Sequence, residues 1–197
     1  MVEEWDWTTV EFGDAHAGTA GVLLADGTEP GPVYVDAVSG PEAYPTTHWT
    51  AYDGQHGSPR AHALRAACAC GWRGAAEYPL DWRAVGDGPP AEHHVDLSGP
   101  LADWNAHLSV VRETVVPLPE PLAGLLLDLS DELGDVVADA PLAALRAVGI
   151  LRRIIAEAAD EAAEAVHDSG ASTESVAAAL GTTPSEAFGL LLRFHTF

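Results

Sequence analysis

A proline-rich joint, Val116-Pro117-Leu118-Pro119-Glu120-Pro121, separates two stretches of very different composition. Proline fixes its own φ, lacks an amide donor and biases its neighbour toward extended backbone, so no helix or central strand runs through this segment. All six Trp, all four Tyr, both Cys and seven of the nine His precede residue 108. Beyond the joint the chain is dominated by Leu, Ala and Val. Two modules are expected, a β-rich one over 1–116 and an all-α one over 117–197. Together they make an α+β protein.

Charge narrows the partners. Nine basic residues, all Arg, face 30 acidic ones, for a formal net charge of −21. Such a chain is repelled by nucleic acid and anionic membrane alike. No apolar run reaches the ~20 residues of a membrane span. The N-terminus, Met1-Val2-Glu3-Glu4-Trp5-Asp6, has neither the basic nor the apolar region of a secretory signal. A cytoplasmic protein is the expectation.

In the first module, β-prone runs over Thr8–Phe12, Gly21–Ala25 and Pro32–Val38 are bounded by Gly, Asp and Pro. The stretches Asp36–Pro59 and Gly86–Pro100 read as loops. His62–Cys68 and Trp72–Tyr78 suit the two arms of a hairpin around Cys68-Ala69-Cys70-Gly71. Leu101, Trp104, Leu108, Val111 and Val115 recur at helical steps, with Ser98 or Gly99 as cap.

The cysteines carry the sharpest chemical signal. A tight turn followed by Gly is how zinc knuckles hold two thiolates, although two residues usually separate the pair and here there is one. A closed structural zinc site needs two further ligands. His107 falls on the inward edge of the predicted helix. His62 shares a strand face with both cysteines, because 62, 64, 66, 68 and 70 alternate to one side. His93 and His94 are rivals for the place, and His48 is a weaker one. The competing readings are small buried thiols with ordinary surface histidines, or a reactive thiol.

The segment Cys68-Ala69-Cys70-Gly71-Trp72-Arg73-Gly74, followed by Trp104-Asn105-Ala106-His107, resembles a Cys-x-Cys-Gly-Trp module of uncharacterised actinobacterial proteins. That resemblance, over residues 68–107, adds weight to pairing Cys68 and Cys70 with His107.

The second module reads as helices over Glu120–Ala138 and from about Pro141 to Asp168, with Asp139 as a candidate N-cap and Gly170 as the stop. Ser172 is placed to cap a helix through Leu180. Gly181 makes a turn, and Thr183-Pro184-Ser185-Glu186 forms a capping box opening a last helix to about Arg193. Residues 170–194 resemble the helix-turn-helix of bacterial sigma-like and repressor-like regulators. Val176, Ala177, Leu180, Gly181, Ala187 and Leu190 stand where that motif takes apolar or small residues. In that motif the second helix offers basic and amide side chains to DNA. Here it offers Ser185, Glu186, Phe188, Gly189 and Leu192, with Arg193 as its one cation. The surface suits a protein partner, a basic one by charge, better than phosphates.

No Gly-Lys-Ser/Thr loop, His-Glu-x-x-His or Gly-x-Ser-x-Gly occurs. The expectation is a non-enzymatic regulatory protein acting through protein contacts. The alternatives are a sequence-specific DNA-binding regulator, and a small-molecule-binding or catalytic protein using a pocket lined by His93, His94, Trp82 and an acid.

Overall fold

The structure, a computed structural model, describes residues 6–36, 43–85 and 95–194. The protein is α+β, with a small antiparallel sheet region followed by helices. By its contacts the chain divides into two compact units, Met1–Glu113 and Thr114–Phe197. The division falls three residues before the boundary drawn on composition, and just ahead of the prolines.

Unit 1 is built on a three-stranded sheet ordered β1-β4-β5, from β1 (Gly18–Leu23), β4 (Ala63–Cys68) and β5 (Tyr78–Pro79). β1 and β4 are antiparallel, with Gly18 opposite Cys68 and Leu23 opposite Ala63. The central strand β4 is buried on both faces. Its small Ala63, Ala66 and Ala67 let neighbours approach closely, while Leu64 enters a core of Val22, Trp49 and Tyr52. Between β1 and β4 lies a separate hairpin of β2 (Val33–Asp36) and β3 (Ala43–Thr46). The Tyr52 hydroxyl ties it to the core by donating to the Gly31 carbonyl at 2.8 Å. The expected hairpin around the cysteines is present, as β4 turning back toward β5 with an Ala67–Arg73 bridge near the turn. A short helix α1 (Trp82–Val85) and the long α2 (Ser98–Thr114) complete the unit. α2 buries Trp104 and Leu108, and the Asp96 carboxylate accepts from the Ser98 amide at its start.

Three local expectations need correction. Thr8–Phe12 is not a strand. Trp7 bridges to Gly18, but the chain then turns, with the Thr9 hydroxyl accepting from the Phe12 amide and the Thr9 carbonyl from Gly13, before a 3-10 turn over Gly13–His16. The serine/threonine-type turn outcompetes the strand ladder. Second, the span read as loop over 36–59 contains β3 and a 3-10 turn, Trp49–Ala51. Pro45 is accommodated because β3 pairs on one side only. Third, Asp139 caps nothing. It is the last residue of α3, and Ala140 alone breaks the chain, with no side-chain cap.

Unit 2 comprises α3 (Glu120–Asp139), α4 (Pro141–Ser169), α5 (Thr173–Leu180) and α6 (Pro184–Phe194). Gly170 and Gly181 both adopt left-handed φ, 68° and 61°, and stop α4 and α5 as expected. The Ser172 hydroxyl accepts from the Ser175 amide. The capping box closes reciprocally: the Thr183 amide donates to Glu186 Oε2 at 3.0 Å and the Glu186 amide to Thr183 Oγ1 at 3.2 Å. Val176, Ala177 and Ala187 are buried at the α5–α6 junction, with Val166 of α4 and Leu191 against them. No described helix is long and apolar enough to cross a membrane.

Candidate metal centre

The turn after β4 is shaped to present sulfur. The Cys68 carbonyl accepts from the Gly71 amide at 3.0 Å, and the Cys68 amide donates to the Trp72 carbonyl at 3.0 Å. Gly71 sits at φ 94°, a conformation that side chains resist. The Ala69 amide donates across to the Ala17 carbonyl at 2.8 Å, fastening the turn to the segment that precedes β1.

That cross-link brings in a ligand the sequence reading missed. His16 ends the 3-10 turn and is buried, with Nδ1 3.6 Å from Cys68 Sγ. His107, half-buried on α2, places Nε2 3.4 Å from Cys70 Sγ. The ligand atoms of His16, Cys68, Cys70 and His107 all lie within 4.8 Å of one another. A tetrahedral zinc ion, with Zn–S about 2.3 Å and Zn–N about 2.0–2.1 Å, spaces a sulfur and a nitrogen ligand about 3.6 Å apart. Both measured S···N separations match that edge. Two thiols and two imidazoles are also a donor set that selects zinc over hard cations.

Neighbouring groups hold the ligands in place. The Trp104 indole N–H donates to the His16 carbonyl at 3.0 Å, which ties α2 to the 3-10 turn. The Trp72 ring stacks on His107 at 4.3 Å between centroids, 5° from parallel. Arg73 Nη1 donates to the Cys68 and Trp72 carbonyls, and its Nε reaches Glu29 at 3.1 Å. Glu29 also pairs with Arg65. The arginines near the hairpin are therefore partly engaged by an acid from the β1–β2 connection, which holds the Glu29 carboxyl below its ordinary range. Arg60 lies over the Trp82 ring.

Burial pushes the Cys68 thiol up to about 11, and the adjacent Cys70 adds to the shift. Burial, and then the charge of His16, lowers His107. A raised thiol and a lowered imidazole do not form the thiolate–imidazolium pair of an activated nucleophile. A metal taking this site displaces the Cys68 proton on binding.

His62 is not brought to the cluster. It is exposed just before β4, its amide bonded to the Leu23 carbonyl and its carbonyl accepting from Leu80. Period-two alternation puts 62 and 68 on one face, but six residues of strand separate them by roughly 20 Å. His93 and His94 lie outside the described residues. His48 is engaged with Thr50 instead. Nothing local in Gly13-Asp14-Ala15-His16 announces a ligand. The one available signal was the β1–β4 register, which sets the residues just before Gly18 beside the turn that follows Cys68.

On α6, Ser185, Glu186, Phe188, Gly189, Leu192 and Arg193 are all exposed, Phe188 by 53% and Leu192 by 50%. Glu186 is nonetheless occupied by its own helix start, accepting from Thr182 and Thr183.

No family model, curated protein or solved structure matches this chain.

Proposed function

We propose that unit 1 is a module closed by one structural zinc ion on His16, Cys68, Cys70 and His107, and that the chain is a non-enzymatic regulatory protein working through protein contacts. The observation that carries the metal is the convergence of four ligand atoms from three separate segments. All four positions of a tetrahedral ion are filled by protein, so the ion joins the 3-10 turn, the knuckle and α2 rather than holding a substrate. The regulatory reading is supported by α6. Its exposed Phe188 and Leu192 suit an apolar contact, and Arg193 is its one basic side chain. A basic protein is the partner that a chain of −21 favours.

Metal analysis tests the first part. Purified protein carries one equivalent of zinc per chain. Co(II) in its place gives the intense visible bands of a tetrahedral thiolate site. Cys70→Ser and His16→Ala each abolish both, whereas His62→Ala leaves both intact. A folded protein that takes up neither ion overturns the site. Retention of the Co(II) spectrum in His16→Ala removes His16 from it. For the second part, binding to random duplex DNA that weakens steeply with salt would replace protein contact by DNA contact.

A further inference from the structure

Unit 2 buries little of its own apolar surface. Its buried residues are Ala144, Ala163, Val176, Ala177 and Ala187, and α3 has none. α5, α6 and the end of α4 share the small cluster around Val176. The α3–α4 hairpin lies largely outside that cluster. Eleven Leu, Ile and Val side chains on these two helices are 41–81% exposed, among them Leu125, Leu126, Leu142, Leu145, Ile154 and Ile155. They present on the order of 1,000 Å² of apolar surface. That exceeds the few hundred Å² usual for a monomer's patches and reaches the ~800 Å² per partner of a standard interface.

The charges on the same helices identify the occupant. α3 carries six carboxylates: Glu120, Asp128, Asp131, Glu132, Asp135 and Asp139. The first half of α4 carries Arg146, Arg152 and Arg153, three of the four arginines of unit 2. Among the described residues none of these nine enters an ion pair. A basic partner would answer the acids and repel the arginines, and an acidic one the reverse. A second copy supplies both signs together with an equal apolar face, as a two-fold isologous contact requires.

We infer that two copies of the chain associate through α3 and α4 of unit 2, forming a four-helix bundle with the α3 acids of each facing the α4 arginines of the other. Unlike the metal and the α6 contact, this association needs neither to be real. Mass in solution tests it on the full chain. Light scattering at about 10–100 µM gives twice the 20.6 kDa chain mass, and the melting temperature rises with concentration. The double variant Leu126→Glu/Ile154→Glu gives the single-chain mass. Because that variant can also lose helix, a second pair on exposed positions, Arg152→Glu/Arg153→Glu, is read alongside it. It keeps the helical circular dichroism and dissociates about tenfold more readily, less so in high salt. A wild-type chain that stays at 20.6 kDa throughout this range overturns the inference. So does a fully helical Leu126→Glu/Ile154→Glu protein of unchanged double mass.

Discussion

His48 caps the 3-10 turn Trp49–Ala51 with a ring nitrogen that acid converts from acceptor to donor. Its Nδ1 accepts from the Thr50 amide at 3.3 Å and lies 2.6 Å from the Thr50 hydroxyl. Burial lowers its affinity for a proton, with Asp6 opposing. The unfolded chain therefore binds more protons at this position than the folded one, and stability falls as pH drops through the ordinary histidine range. In chemical denaturation between about pH 7 and 5, His48→Asn keeps a capping oxygen without the titration and flattens part of that decline. Identical pH slopes for the two proteins would count against this role. Gly18 matters for a different reason. A Cβ there would stand 2.5 Å from the Trp104 indole nitrogen, and Trp104 is buried and bonded to the His16 carbonyl. Gly18→Ala costs about 2 kcal/mol by overpacking and weakens zinc binding, because the ring that must move is the one positioning His16. Urea melts and competition with a zinc chelator check both effects. Unchanged zinc affinity in a destabilised variant would uncouple them.

At the scale of elements, the best-determined boundaries are those set by local chemistry. The Thr183–Glu186 box, the Ser172 cap and the left-handed Gly170 and Gly181 were legible in sequence because each links residues at most four apart. Thr183→Ala removes both partners of Glu186 supplied by that hydroxyl and its acceptor for the Glu186 amide. The expected cost is about 1 kcal/mol, seen as a lower melting temperature. A variant melting with the wild type would show that α6 is held by packing alone. Asp139 misled the reading because an N-cap needs extended backbone at the acid itself, and here α3 continues through it. β4 misled it differently. Alternation correctly told which side a residue faces, but not how far along the strand it stands, and distance decides ligation.

For the whole molecule, the net charge of −21 discourages phosphate contact in both halves without specifying a fold. The sequence by itself determined the α+β division, the helices of unit 2 with their caps, the cysteine hairpin and the inward place of His107. All of these follow from periodicity, proline and glycine chemistry, or spacing within one element. Only tertiary structure decided that His16 is the fourth member of the cluster and that His62 stands apart from it. It alone shows that α3 and α4 leave their large apolar side chains exposed. A ligand 52 residues from Cys68 is placed by strand register, and exposure by what packs on a face. Both are contacts between segments, and local propensity does not encode them.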